Sequence, residues 1–129
     1  MTLSTNKELI ESFIEDIFNK HDISATEKYF SKGSTTGNVG FKQFLNALFK
    51  AFPDMQTKIE HIVAEDDVVV VFLSGSGTHT GEFRGKSPTN KIVNIRSADL
   101  YKIENEKIVE HWDVVDQLHL LHQTGTTLS

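Results

Sequence analysis

Val68-Val69-Val70-Val71-Phe72-Leu73 is the stretch that decides the fold. It is apolar on both faces, so it reads as a central strand of a sheet, covered on both sides. Upstream, Glu65-Asp66-Asp67 reads as a tight turn, and the period of two begins near Gln56, giving a first strand from Gln56 to Ala64. Downstream, the central strand continues through Ser74-Gly75-Ser76-Gly77-Thr78-His79-Thr80, where the glycines suggest the bend or bulge by which a sheet curls around a cavity. A third long strand spans Lys91 to Ile103 and a fourth Lys107 to Val115, joined by Glu104-Asn105-Glu106. The tail from Asp116 to His122 has helical spacing in Leu118, Leu121 and His122.

The chain ahead of the sheet is helical. Thr5-Asn6-Lys7-Glu8 has the form of a capping box, and Leu9, Ile10, Phe13, Ile14, Ile17 and Phe18 then make one wide apolar face that fades near Asn19-Lys20-His21-Asp22. A short second helix, Ser24 to Phe30, is expected to pack Tyr29 and Phe30 inward. Ser31 to Gly40, with three glycines, reads as a loop. A third helix carries Phe41, Phe44, Leu45, Leu48, Phe49 and Phe52 on one face, and Pro53 ends it. That stripe is either plain core or the lining of a ligand cavity. Helices followed by a meander of long strands is the α+β pattern, and a strongly bent antiparallel sheet with helices on its concave side makes a cone with an internal pocket.

Composition narrows the function. A chain of 129 residues with 38% hydrophobic and 24% charged residues is the size and make-up of one globular domain. A formal charge of -5 argues against nucleic acid, which needs a basic face. The absence of cysteine removes disulfides, thiolate nucleophiles and Cys-based metal sites. No apolar run is long enough for a membrane span, and the N-terminal residues do not read as a secretory signal, so the expectation is a cytoplasmic protein that engages no membrane. His119 and His122 stand three apart, but no third metal ligand accompanies them.

Carboxylates are the better chemical material. On the last strand, Glu110, Trp112, Val114 and Asp116 share one face, and His111, Asp113 and Val115 the other. Asp116 beside Trp112 would be a desolvated acid with raised pKa, usable as a base near neutrality; alternatively it caps the C-terminal helical turn. Asp99 shares a face with Ile95, Ser97, Tyr101 and Ile103, and is either pocket-facing or paired with a base such as Arg96 of a neighbouring chain. His79, at a strand end, is a third candidate, against a surface role.

The segment Gly77-Thr78-His79-Thr80-Gly81-Glu82-Phe83-Arg84-Gly85, followed by Pro88-Thr89-Asn90-Lys91, resembles the G-T-H-x-G-x-F-x-G…P-T-G-K signature of the SnoaL-like polyketide cyclases, or ester cyclases. Asp99-Leu100-Tyr101, Lys107 to Trp112, Asp116, Leu120-Leu121 and Gln123 resemble the family's closing pattern, D-x-[FY]…G-K-I-x-E-x-W…D…L-L…Q. Asn90 and Glu106 stand where that pattern has glycine. The resemblance implies a nuclear transport factor 2-like cone and an intramolecular aldol ring closure in which an aspartate near the end of the last strand, here Asp116, is general acid/base. The distantly similar ketosteroid isomerases place an oxyanion-hole acid on the penultimate strand, which implies that role for Asp99.

The expectation is therefore a cofactor-free lyase or isomerase acting on a small hydrophobic carbonyl compound, with Asp116, Asp99 and His79 as catalytic candidates. Trp112, Phe13, Phe44, Phe49 and Tyr101 are expected to bind a substrate of bicyclic or tricyclic size. A ligand-binding module without chemistry and an oligomerisation domain are the alternatives. The apolar outer face of Val68 to Leu73 needs a cover, so a homodimer is expected.

Overall fold

A computed structural model of the chain describes residues 3–32 and 39–125. Helix α1 (Leu3–Ile14) runs into a π turn (Glu15–Asn19), followed by a 3-10 turn (Ile23–Ala25), α2 (Thr26–Tyr29) and α3 (Val39–Ala51). The sheet is β1 (Gln56–Glu65), β2 (Val68–Thr78), β3 (Ile92–Glu104) and β4 (Lys107–Val115), closed by α4 (Gln117–Gln123). The strands lie in sequence order, each antiparallel to the next, so the expected α+β meander is observed.

Two local expectations are corrected at the helical end. α1 begins at Leu3, which puts Thr5 inside the first turn rather than at its cap. Of the expected loop Ser31 to Gly40, residues 33–38 lie outside the described residues, and Val39 and Gly40 already belong to α3.

The helices cover the concave face. Ile10, Phe13, Ile14 and Ile17 are buried against Val69, Val71, Tyr101, Ile103 and Ile108, and Tyr29 and Phe30 close the same core. Asn19, where the π turn ends, ties helix to sheet as a strand would: its amide donates to the Thr57 carbonyl at 2.9 Å and its Oδ1 accepts from the Thr57 N–H at 2.5 Å. A second core cluster, with Phe52, Met55, Phe83, Val93 and Leu120, fills the other end.

The sheet bends by devices other than those expected. Pairing through Gly75 and Gly77 is regular, and the register shifts instead between Ile59 and His61 in β1 and, in the β3–β4 pairing, between Lys102 and Ile103, where β4 skips Val109. The two glycines serve close approach: a Cβ on Gly75 would stand 3.0 Å from Met55 Sδ, and one on Gly77 3.0 Å from Phe52 Cβ. Asn90 and Glu106 take φ of 60° and 62°, so the two positions where the family pattern has glycine are left-handed here as well.

The outer face of the sheet carries two apolar rows across all four strands. Val63, Val70, Leu100 and Trp112 are in register, and beside them His61, Phe72, Ala98 and Val114. Trp112 is 59% exposed and Val114 73%. Glu65, Lys102 and Glu110 flank the rows at one end, and Lys58 and the Asp116-paired Arg96 at the other.

Candidate active site

A cavity of about 70 Å³ lies between α3, the π turn and the concave face of the sheet. Its helical wall is Phe18, Phe41, Phe44 and Leu48, and Phe83 and Met55 close one side. Its polar groups are on the sheet and rim: Ser97, Asp99, His111, Asp113, Thr57 and Arg84. The volume is well below the roughly 300 Å³ of small drug-like sites. That is room for a compact group rather than for the expected bicyclic or tricyclic body.

Asp99 is the buried acid of this cavity. It is 5% exposed, Tyr101 donates to its Oδ2 at 3.3 Å, and its Oδ1 has no partner among the described residues. Burial, reinforced by the negative charge of Asp113, pushes its carboxyl up to about 7, against hydrogen bonds from Tyr101 and Ser97 that act to lower it. Asp113 is directly opposite Asp99 across the β3–β4 ladder and also lines the cavity, on its exposed side. Burial first, then the charge of Asp99, holds the Tyr101 hydroxyl well above its usual range, so it remains a donor.

His111 completes the polar wall. Its ring stacks on Tyr101 at 4.6 Å between centroids and meets Phe41 edge-on at 5.9 Å. Burial lowers its pKa and favours the neutral imidazole, against the charge of Asp113, which acts to raise it; its Nε2 has no partner among the described residues. Two unpartnered polar atoms, Asp99 Oδ1 and His111 Nε2, thus belong to residues lining one apolar cavity. A buried polar group left without a hydrogen bond is costly and marks a place where a ligand atom can supply it.

The other expected site residues lie elsewhere. Asp116 does not face the cavity beside Trp112: it caps α4, accepting from the His119 N–H at 3.0 Å, and pairs with Arg96 at 2.5 Å. These two interactions, the backbone bond first, hold its carboxyl below the usual range, the opposite of a poised base. Trp112 is on the outer face. His79 is fully buried outside the cavity, stacked on Phe52 at 5.3 Å and bonded through Nδ1 to Thr89 Oγ1 at 3.1 Å, where it fastens the segment ahead of β3. Phe44 lines the cavity as expected; Phe13 is in the core, Phe49 stacks on His21 at 3.9 Å, and Tyr101 is buried, bonded to Asp99 and stacked on His111.

The sequence reading missed His111, Asp113 and Arg84. The alternation of β4 puts the first two together on the face opposite Trp112, and the register shift at Val109 turns that face to the cavity. Among the described residues, no three His, Asp or Glu side chains converge to hold a metal ion, and no helix is long and apolar enough to cross a membrane.

Helices packed on the concave face of a four-stranded antiparallel sheet, around an acid-lined apolar cavity, define a nuclear transport factor 2-like protein. Residues 8–124 match the family of SnoaL-like polyketide cyclases, and the chain belongs to that family. Among solved structures it is similar to AclR, a candidate hydroxylase from Streptomyces galilaeus, at 28% identity and a TM-score of 0.90 over 99% of this chain and 89% of that one. It is also similar to a candidate polyketide cyclase from Acidithiobacillus ferrooxidans (24% identity, TM-score 0.81, 97% and 98% covered). A third similar structure is IdmH, a candidate polyketide cyclase from Streptomyces antibioticus (23% identity, TM-score 0.78, 94% and 99% covered). No curated protein matches the sequence.

Proposed function

We propose that the chain is an enzyme that removes a proton from the carbon beside a carbonyl group of a small hydrophobic compound and uses the enolate in an intramolecular aldol or isomerisation step. The observation that carries this reading is the free Oδ1 of Asp99, on a buried carboxyl pushed up to about 7 in the wall of an apolar cavity. A base with a pKa near the working pH combines a useful ionised fraction with useful basicity, and a positioned base is worth roughly 10²–10⁴ in rate.

Asp99 Oδ1 takes the proton, and the C–H pair becomes the enolate. His111, neutral and in its Nε2–H tautomer, donates to the developing oxyanion; a preorganised donor of this kind contributes on the order of 10² or more. In ring closure the enolate carbon attacks a second carbonyl of the same molecule, and the alkoxide recovers the proton from Asp99. Asp113 keeps Asp99 from being too weak a base. Neighbours named for hydroxylation and for cyclisation support a shared early step more than a shared product.

The test is deuterium exchange into acetoacetamide, with buffer-catalysed exchange subtracted. The rate should rise with pH to a plateau with a midpoint near 7, and Asp99→Asn should remove it. Exchange that persists in Asp99→Asn, or that is lost in Asp116→Ala with the fold intact, would overturn the assignment.

A further inference from the structure

Phe83 to Lys86 form a tight two-residue turn closed by a pair of backbone bonds, Phe83 N–H to the Lys86 carbonyl at 3.0 Å and Lys86 N–H to the Phe83 carbonyl at 2.9 Å. Both central residues have positive φ, Arg84 at 52° and Gly85 at 76°. This is the pattern of a type I′ turn, whose first central position favours Asn, Asp or Gly. Arginine there is a strained choice, and strain retained at a cavity rim points to a use for the side chain.

The arginine is also held in place. Its guanidinium lies over the Phe83 ring, 5.2 Å from the centroid, and donates to Gln117 Oε1 at the start of α4. It lines the cavity and is the one permanently cationic group among the described lining residues. Its fixed partners are an aromatic face and a neutral amide; among the described residues no carboxylate lies within ion-pair distance of it. Asp116, the acid next to Gln117 in the chain, is committed to Arg96 and to the α4 cap. The guanidinium thus retains free donors for a bidentate partner.

We propose that Arg84 is a specificity-determining residue that anchors a carboxylate at the cavity mouth, so that the substrate is a short carbonyl compound ending in an anionic group. The inference rests on the cavity as the substrate site. Asp99 and Asp113 on the sheet wall disfavour an anion deep in the cone, which leaves the rim for the charge and the interior for the neutral, reacting carbonyl. The cavity volume of about 70 Å³ fits such a short acyl segment.

The experiment compares 4-oxopentanoate with its neutral isostere 4-oxopentanamide, binding each by chemical-shift titration at pH 7. Wild-type protein should prefer the carboxylate by about tenfold, the scale of a charge-assisted bidentate contact. In Arg84→Asn the carboxylate preference should disappear, both compounds binding equally, and the variant should melt at or above the wild-type temperature because asparagine suits the turn. Asp99→Asn should keep the carboxylate preference while losing deuterium exchange, so the anchor and the base fail separately. Equal binding of the two compounds by wild type, no binding of either, or a preference surviving in Arg84→Asn overturns the proposal. So does an Arg84→Asn variant that melts well below wild type, since Arg84 would then be holding the fold.

Discussion

Replacing Asp99 by asparagine should stabilise the protein, and by an amount that depends on pH. In the folded chain this carboxyl titrates near 7, against an ordinary 3.8. Between those values the native state keeps a proton that the unfolded chain releases, so stability falls as pH rises from about 4 to 7 and is flat above. With the residue 5% exposed, the full gap applies: at about 1.4 kcal/mol per pKa unit it amounts to roughly 4 kcal/mol at pH 8. The substituted amide would keep an acceptor for the Tyr101 hydroxyl and carry no charge to bury. For a chain of this size the gain corresponds to roughly 15 °C in melting temperature at pH 8, shrinking towards zero at pH 4. Thermal unfolding of both proteins from pH 4 to 8 measures it, and titrations common to the two cancel in the difference. Parallel stability profiles, or a variant that is less stable at pH 8, would refute the burial argument.

Asp116→Ala should lower the melting temperature by roughly 2–5 °C at pH 7 with exchange activity retained, because it removes the α4 cap and the Arg96 partner. Its carboxyl titrates below the ordinary value, so the contribution is present above the unfolded pKa and lost as pH falls through the folded one; the deficit should vanish in strong acid. The two outer apolar rows, with Trp112 and Val114 exposed, are expected to be covered by a second copy of the chain. Sedimentation should show a dimer at micromolar concentration that Val114→Asp dissociates, and a wild-type monomer would contradict this.

The meander, its strand ends and the helical faces were legible because alternation and helical spacing are local properties of the chain. The face of β4 was not, and one residue explains why. Counting back from the Glu104–Lys107 turn without interruption pairs Asp99 with Trp112 and puts the tryptophan in the cone. The skipped residue Val109 shifts the register by one, so Asp99 faces Asp113 and every later side chain of β4 changes sides. A bulge is fixed by tertiary packing and leaves no compositional mark here. Asp116 then lost its place at the cavity to Asp99 and Asp113. His79 read as a catalytic candidate with a surface role as the alternative, and it lies at neither place: the close approach of Gly81 to the Lys50 carbonyl folds its segment against α3 and buries it. The glycines of β2 were legible as special, but their use is close approach rather than bending.

Asp99 is the buried carboxyl of the cavity, pushed up to about 7. Labelling the aspartate side chains with carbon-13 and following the carboxyl signal that disappears in Asp99→Asn, from pH 3 to 9, reads that group alone. The midpoint should lie near 7 and fall when Asp113→Asn removes the neighbouring charge. A midpoint near 4, unmoved by Asp113→Asn, would contradict it.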